Sequence, residues 1–220
     1  MGLVALLLSA LSGVLLSAAF EPVGKWWLAP VAIASHMYSL SISNRKVLNS
    51  FIFGLTLNLI VLHWSSTFVG SVPWLILALG MSIFYLPMAL VSRWGITAYP
   101  LIYLIMEEVR NQFPFGGFGW VRIAYTQADS PYSKIAAIAG ASSLSAFVLI
   151  LGLILFFGLR RKFDVITVLP FVLLFVPVTL STPATANVMM IQEMFHLWGL
   201  ISTHERKRFL IITLKELKKS

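Results

Sequence analysis

Long apolar runs separated by short connectors are the feature that most constrains how this chain can fold. The runs lie at residues 3–20, 26–42, 47–67, 74–91, 96–110, 135–159 and 165–180. Six of them contain no charged residue, and the fifth carries charge only at its end. An α-helix needs about 20 mostly apolar residues to cross the hydrocarbon layer of a membrane. We therefore predict an all-α fold, a polytopic transmembrane helix bundle of about seven spans.

The composition agrees with a membrane protein and argues against other classes. Charged residues make up 11% of the chain, whereas a soluble domain has about a quarter. A formal charge of +8 would fit a nucleic-acid partner. However, the basic residues lie mainly in short connectors and in the C-terminal tail, as membrane orientation requires, so we predict no nucleic-acid binding. The sequence carries no signature of a cofactor or metal site, and without cysteine it forms no disulfide.

The basic connectors also predict an orientation. If the runs cross the membrane in turn, Arg45, Lys46, Arg93 and residues 160–162 fall on one side. The other side holds a single lysine in one loop and a connector of mixed charge at residues 107–134. Short connectors rich in Lys and Arg stay in the cytoplasm. We therefore predict a cytoplasmic N-terminus, with the 107–134 connector and the C-terminus outside.

Two local patterns concern the helices themselves. Ala5, Ser9, Gly13 and Ser17 recur every fourth residue and share one helix face, which predicts close packing against a neighbouring helix. Pro87 is expected to kink the fourth run.

Two histidines, His36 and His63, lie inside apolar runs. Each would be a candidate metal ligand or proton carrier within a membrane. Neither has a partner at helical spacing, so we interpret both as interfacial, hydrogen-bonded residues.

Residues 107–131, EEVRNQFPFGGFGWVRIAYTQADSP, concentrate polar groups beside an apolar run. Such groups next to hydrocarbon are costly and require a compensating role. Glu107 and Arg110 are three residues apart, which predicts that they pair on one helix face. Two roles stay open. The pair anchors the connector, or Arg110 or Arg122 binds a lipid phosphate through its forked guanidinium.

The middle of this connector is predicted to be irregular. The segment 113–120, FPFGGFGW, cannot form a regular helix, because its glycines favour sharp bends. Phe118 and Trp120 either wall a groove for an acyl chain or lie as an aromatic belt on the headgroups. Tyr125 and Gln127 either orient a headgroup or hold the connector. The candidate lipid- or substrate-binding residues are therefore Glu107, Arg110, Phe118, Trp120, Arg122, Tyr125 and Gln127.

Several motifs in this region resemble those of a known family. They are Glu107-x-x-Arg110, then Phe113-Pro114-Phe115-Gly116-Gly117-Phe118-x-Trp120, and then Tyr125-x-Gln127-x-Asp129-x-Pro131. With Ala19-Phe20-Glu21-Pro22 near the start, they resemble the signature of bacterial apolipoprotein N-acyltransferases. The resemblance covers residues 3–192, the membrane region of that family. Gly119 stands where the family usually has proline.

The resemblance implies an activity, partners and a location. Family members transfer an acyl chain from a membrane phospholipid to the α-amino group of the lipidated N-terminal cysteine of a lipoprotein. Their membrane helices support an external nitrilase-like domain, whose Glu-Lys-Cys triad forms a thioester with the acyl group. For this chain we expect a place in the bacterial cytoplasmic membrane, a phospholipid acyl donor and a lipidated apolipoprotein partner.

The resemblance ends near Gln192, and the residues after it match no family pattern. Without cysteine these 220 residues cannot form the thioester, so we expect no catalytic residue and no activity of the chain alone. We predict a transmembrane domain at 1–182 with the external connector. The start of a truncated nitrilase-like domain and a divergent basic tail follow at 183–220. A separately encoded nitrilase-like domain would then be a further partner.

Other interpretations stay open from the sequence. The chain is either an inactive remnant or one half of a split enzyme. A different class is a small non-enzymatic membrane protein or a transporter-like helix bundle that carries the motif by chance. A transporter would show paired ionisable residues within the membrane or broken helices in matching halves, and the sequence shows neither.

Overall fold

The computed structural model describes residues 2–114 and 116–160, which form helices joined by turns. The α-helices are α1 (Gly2–Ser17), α2 (Leu28–Ile42), α3 (Lys46–Val61), α4 (Ser65–Val69), α5 (Ser71–Ser82), α6 (Val91–Trp94), α7 (Tyr99–Gln112) and α8 (Ala136–Leu159). Short 3₁₀-helices occur at Ile83–Leu90, Ile96–Ala98, Ile123–Gln127 and Ser133–Ile135. No β-strand occurs in these residues, which confirms the predicted all-α class.

Helix length divides the apolar helices into two groups. Ser71–Trp94 and Gly140–Leu159, with 24 and 20 residues, are long and apolar enough to cross a membrane. Helices α1, α2 and α3 are apolar but only 16, 15 and 16 residues long. At 1.5 Å per residue they reach roughly 24 Å, against a hydrocarbon layer of about 30 Å. Within the described residues two helices are thus long enough to span, and helix length does not confirm the predicted seven spans. The run at 165–180 lies outside the described residues.

The described helices are apolar on the outside and partly polar on the inside. Exposed large side chains on α1, α5 and α7 include Leu3, Leu7, Leu11, Ile76, Leu79, Leu101 and Ile105. Ser9, Ser39 and Asn49 are instead fully buried between helices. Water disfavours so much exposed apolar surface, whereas lipid accepts it and favours hydrogen bonds between helices. The surface therefore suits contact with lipid.

Small residues bring α1 close to its neighbours, which confirms the packing prediction. Ala5, Ser9, Gly13 and Ser17 are all buried, and α1 packs mainly against α2 and α3. A Cβ atom on Gly13 would lie 2.7 Å from the carbonyl oxygen of Phe53 in α3, closer than side-chain carbons come. Glycine at this position is therefore what permits the two backbones to approach.

A buried hydrogen-bond network ties α1, α2 and α3 together. The hydroxyl groups of Ser9 and Ser39 lie 2.6 Å apart. Ser39 donates to the carbonyl oxygen of Ala5 at 2.7 Å, and the Asn49 side-chain amide donates to the Ser39 hydroxyl at 2.8 Å. Ser39 thus uses its one proton and both of its lone pairs.

Pro87 changes the helix type rather than ending the fourth run. The chain is α-helical over Ser71–Ser82, 3₁₀-helical over Ile83–Leu90 and α-helical again over Val91–Trp94. Proline offers no N–H, and its ring crowds the carbonyl group four residues earlier, which here belongs to Ile83. The irregular stretch begins at that residue, as expected for a disturbance caused by this proline.

The two histidines lie in different settings, and the prediction for His36 is wrong in one respect. His36 lies midway along α2 and is fully buried rather than interfacial. Its Nδ1 forms a 2.8 Å hydrogen bond with the Tyr99 hydroxyl, and its ring stacks on Phe53. Both partners come from other helices, so spacing within one helix could not reveal them. His63 is exposed and lies edge-on to Trp74, which fits the interfacial interpretation.

The connectors meet at two ends of the bundle. At one end the Gln127 side chain donates to the carbonyl oxygen of Trp26 at 3.1 Å. At the same end, the rings of Trp64 and Trp120 lie 5.7 Å apart between centroids. The connectors that follow α1, α3 and α7 therefore lie together there.

Charge distinguishes these two ends. The first end carries equal numbers of acidic and basic residues, namely Glu21, Glu107, Glu108 and Asp129 with Lys25, Arg110, Arg122 and Lys134. At the other end, the charged residues within 2–160 are all basic, namely Arg45, Lys46, Arg93 and Arg160. We call these the mixed-charge end and the basic end. This asymmetry is the one on which the predicted orientation depends.

Candidate functional site

The mixed-charge end is built around the last two turns of α7. This helix begins with apolar residues and ends in EEVRNQ at residues 107–112. Two of the charged side chains, Glu107 and Arg110, belong to residues that are each only 2% exposed. Burying a charge is unfavourable unless protein partners replace its water. The surroundings of these two residues therefore determine the character of the site.

Glu107 is the central hydrogen-bond acceptor. Its Oε1 accepts from Nε of Arg122 at 3.2 Å and from the Ser145 hydroxyl at 2.6 Å. Its Oε2 accepts from the backbone N–H of Ile123 at 3.0 Å. The Ser145 hydroxyl in turn accepts from the backbone N–H of Ala124 at 3.1 Å. One carboxylate thus joins α7, α8 and the connector between them.

The predicted pairing of Glu107 with Arg110 is wrong. Both lie on the buried face of α7, but Glu107 forms its ion pair with Arg122. Arg110 donates from Nη1 to the Tyr85 hydroxyl at 2.8 Å and from Nη2 to the carbonyl oxygen of Val121. Its guanidinium also lies over the Tyr85 ring, 5.7 Å from the centroid, a distance that allows a cation–π interaction. The connector folds back over the helix end and supplies partners that the three-residue spacing does not reveal.

Arg122 also holds the second glutamate. Its Nη2 donates to Oε1 of Glu108 and to the Ser142 hydroxyl, the latter at 2.7 Å. Ser142 donates to the same Glu108 oxygen at 2.5 Å. The Glu108 side chain is 42% exposed and the Arg122 side chain 16%. The two glutamates with Arg110 and Arg122 form a neutral charge cluster that opens to the surroundings at Glu108.

Two glycines shape the connector where it leaves α7. Gly116 and Gly117 have φ angles of +90° and +100°, a region that other residues rarely adopt. A Cβ atom on Gly117 would overlap the Asn111 carbonyl group, whereas one on Gly116 would meet open space. The Phe118 N–H then donates to the Arg110 carbonyl oxygen at 2.7 Å. The glycines thus turn the chain back onto the helix end, and the predicted irregular backbone is confirmed.

The aromatic candidates take two different settings. Phe118 packs, partly buried, against the hydrophobic core. Trp120 and Tyr125 are 61% and 53% exposed. Trp120 lies against Trp64, which in turn lies 6.2 Å from Phe68 between centroids. Exposed rings at one end of a bundle are typical of the boundary between hydrocarbon and headgroups. Of the two predicted roles for Trp120, the geometry favours the aromatic belt.

Gln127 joins the connector to the turn after α1. The residue is 2% exposed. Its side-chain amide donates to the carbonyl oxygen of Trp26 at 3.1 Å and to the Thr126 hydroxyl at 2.9 Å. The ring of Trp26 also meets that of Tyr132 edge-on at 5.9 Å. These contacts suit a role in holding the connector.

A groove of about 370 Å³ runs beside the charge cluster, between α7 and α8. It is lined by Leu104, Ile105, Glu108, Val109, Gln112 and Ser142. Leu104 and Ile105 lie deeper along α7, whereas Glu108, Val109, Gln112 and Ser142 lie nearer the mixed-charge end. Ligand pockets commonly have this volume, with apolar walls and a few polar groups.

The structure brings Glu107, Arg110 and Arg122 of the predicted site into one cluster. Tyr85, Glu108, Ser142 and Ser145 also take part, although the sequence did not single them out. Ser142 and Ser145 belong to a group of three serines, with Ser143, in a helix whose other residues are apolar, and the sequence shows this group. Tyr85 has no such signal, because tyrosine is common in apolar helices. Among residues 2–114 and 116–160, no three His, Cys, Asp or Glu side chains lie close enough to share a metal ion.

Comparison with known proteins agrees with the motifs. The sequence model of the apolipoprotein N-acyltransferase N-terminal domain matches residues 12–154, which include the whole charge cluster. The apolipoprotein N-acyltransferase of Photobacterium profundum is 31% identical over 169 residues, covering 67% of this chain and 32% of that protein. The enzyme of the same name from Haemophilus ducreyi is 30% identical over 164 residues, covering 68% and 32%.

A third relative, the apolipoprotein N-acyltransferase of Pasteurella multocida, is 25% identical over 161 residues. That match covers 66% of this chain and 31% of that protein. The chain thus spans about a third of the length of the curated relatives it matches.

Proposed function

The chain belongs to the apolipoprotein N-acyltransferase family through its N-terminal domain, and on this premise we propose that it forms the membrane part of such an enzyme. In this role it places a phospholipid acyl donor beside the connector, where a lipidated apolipoprotein receives the acyl chain. The observation that carries the proposal is a charge cluster that includes two family-motif residues. Glu107 and Arg110 of the motif lie with Arg122 at one end of a bundle with an apolar surface.

We place the protein in the bacterial cytoplasmic membrane as a polytopic bundle of about seven spans. The basic end faces the cytoplasm, and the mixed-charge end and the C-terminus lie outside. The absence of acidic residues from the basic end within 2–160 supports this orientation. Helices as short as α1, α2 and α3 cross a bilayer where it thins locally or where flanking residues extend the span.

The charge cluster serves as the foundation of the connector. Because its charges balance and Glu107 has three protein donors, it tolerates a position beside hydrocarbon. Both glutamates contact the Arg122 guanidinium, which disfavours a lipid phosphate there. We therefore assign the arginines a structural role and leave lipid contact to the groove and the exposed rings.

We propose the groove between α7 and α8 as the binding site of the acyl donor. Its aliphatic wall of Leu104, Ile105 and Val109 suits a hydrocarbon chain. At its polar end the groove is lined by Glu108, whose side chain is 42% exposed, and by Gln112 and Ser142. The Glu108 carboxylate suits a headgroup that carries an amine.

The bond-making groups belong to a nitrilase-like domain that these 220 residues do not supply. The family resemblance assigns acyl transfer to a cysteine thioester, and these residues include no cysteine. We propose that residues 1–220 are inactive by themselves and act together with a nitrilase-like domain.

A transfer assay tests this division of labour. The purified chain is supplied with phospholipid carrying a radiolabelled acyl chain and with a lipidated lipoprotein that has a free amine. We expect no label on the lipoprotein from the chain alone. Addition of a nitrilase-like domain of the kind that the family resemblance implies should give transfer above that of the added domain alone. Transfer by the chain alone would overturn the proposal.

Photo-crosslinking tests the seat of the acyl chain separately. A phospholipid with a diazirine near the end of one acyl chain is irradiated with the membrane-embedded protein, and labelled peptides are identified by mass spectrometry. We expect label on α7 that Ile105→Trp, which fills the groove, strongly reduces. Leu101→Trp is the control, because Leu101 is 62% exposed on the same helix but does not line the groove. Equal labelling of the two variants would show that the acyl chain does not bind in this groove.

A further inference from the structure

A second groove lies at the basic end, apart from the site described above. It has a volume of about 480 Å³ and runs between α1, α2 and α8. Its lining consists of Leu8, Val31, Ala34, Ser35, Tyr38, Leu155 and Leu159. Val31, Tyr38 and Leu159 are themselves 40%, 38% and 68% exposed, so the groove opens to the outside of the bundle. Apart from one serine and one phenol hydroxyl, its walls are apolar.

Arg160 stands at the basic end of this groove. It follows Leu159 directly, at the C-terminus of α8. Its guanidinium lies 5.5 Å from the centroid of the Tyr38 ring and donates from Nη2 to the Ser41 hydroxyl on α2. The residue is exposed. A guanidinium has five N–H donors in a planar fork, so the bond to Ser41 leaves donors for an anionic group.

The surrounding charge favours an anionic occupant. Within 2–160, the charged residues at this end are Arg45, Lys46, Arg93 and Arg160. Basic pockets between membrane helices on the cytoplasmic side bind anionic lipid headgroups. A second copy of the chain in the same orientation would place its own four basic residues beside these four, and the like charges would repel. Charge complementarity therefore argues for an anionic lipid over self-association.

We propose that this groove binds an anionic glycerophospholipid, with one acyl chain between α1, α2 and α8 and the phosphate on Arg160. The bound lipid would contact three helices at once. It therefore stabilises the bundle from the end opposite the charge cluster. This role differs from that of the acyl donor, and it does not depend on acyl transfer.

Lipid binding to the full chain tests the proposal. The protein is purified in detergent, and its affinity for phosphatidylglycerol and for phosphatidylcholine with the same acyl chains is measured by native mass spectrometry. We expect tighter binding of phosphatidylglycerol. Arg160→Gln should weaken that binding by about fivefold, the effect of one basic residue at an anionic headgroup. Arg93→Gln removes the same charge from the same end without touching the groove, and should change affinity by less than about twofold.

A groove-filling variant tests the acyl part. Ser35→Phe places a ring in the groove and leaves Arg160 intact, so it should also weaken phosphatidylglycerol binding. Equal affinity for the two lipids, or equal losses in Arg160→Gln and Arg93→Gln, would overturn the proposal in favour of general surface attraction. Efficient Ser35→Cys crosslinking between two chains in membranes would instead assign the groove to a second copy. None of these failures affects the proposed function, since the charge cluster lies at the other end.

Discussion

Glu107 and Glu108 are adjacent glutamates in contact with the same arginine, yet we predict very different costs when each is neutralised. The Glu107 side chain is 1% exposed and accepts hydrogen bonds from Arg122, Ile123 and Ser145. Replacing it by glutamine keeps the shape but turns an NH₂ group toward these donors. The Arg122 charge, 16% exposed, also loses one of its two carboxylates.

The expected magnitude follows from these contacts. Removal of one partner from a buried ion pair costs about 3–5 kcal/mol. Because Arg122 keeps Glu108, we take the lower end, about 3 kcal/mol, for Glu107→Gln. The Glu108 side chain is 42% exposed, so solvent screening limits Glu108→Gln to about 1 kcal/mol or less. The difference of about 2 kcal/mol corresponds to roughly thirtyfold in the unfolding equilibrium.

The assay is reversible unfolding in mixed micelles, with the mole fraction of sodium dodecyl sulfate raised stepwise and tryptophan fluorescence followed. Both variants change the net charge by the same amount, so each controls for the other. A double-mutant cycle of Glu107→Gln with Arg122→Gln should show a coupling of about 1–3 kcal/mol. Free energies of unfolding of the two single variants that differ by less than about 0.5 kcal/mol, the usual error of additivity, would refute the different roles assigned to the two glutamates.

Three further predictions use the same unfolding assay. Gly116→Ala should lower the free energy of unfolding by about 1–2 kcal/mol, because residue 116 has a positive φ. Gly117→Ala should lower it clearly more, because its Cβ also overlaps the Asn111 carbonyl group. Equal losses would contradict the close approach of residue 117 to the end of α7. Gly13→Ala should lower the free energy of unfolding by about 1–3 kcal/mol, because it overpacks α1 against α3. Its control Gly80→Ala also lies within a helix but meets nothing within 4 Å, so it should cause no loss and should raise that free energy by up to about 1 kcal/mol. Ser39→Ala should lower the free energy of unfolding by about 1–2 kcal/mol, because Ser39 takes part in every hydrogen bond described for the α1–α2–α3 network. An unchanged free energy of unfolding would show that the network does not stabilise the bundle.

The sequence predicted those features that depend on local pattern. The helical class followed from apolar runs, and the packing face of α1 followed from the four-residue spacing of Ala5, Ser9, Gly13 and Ser17. The irregular connector followed from its glycines, because their conformational freedom is a local property. These features require no knowledge of which elements lie side by side.

The sequence did not predict pairings between distant elements. Glu107 finds its partner fifteen residues ahead in Arg122, while the closer candidate Arg110 turns to Tyr85 in another helix. His36 looked interfacial because its partner Tyr99 is 63 residues away. A charged residue in an apolar environment needs a partner, but the amino-acid sequence around it does not identify that partner. Only the path of the connector over the end of α7 decides this.

Helix length was also beyond the reach of the sequence pattern. The third run, at residues 47–67, looked like one span, but α3 ends at Val61 and a separate short helix follows at Ser65–Val69. An apolar run limits where a helix can lie, whereas turns within the run determine how much of it is helical.

The orientation of the connector is the most direct test of the central claim, and the chain suits it because it contains no cysteine. Asp129→Cys places a single thiol on an exposed position of the mixed-charge end, and Asn44→Cys places one at the basic end. Intact cells that produce each variant are treated with a membrane-impermeant maleimide. We predict labelling at position 129 before permeabilisation and at position 44 only after it. Labelling of position 44 in intact cells, with position 129 protected, would contradict the proposed membrane arrangement and the lipid site that depends on it.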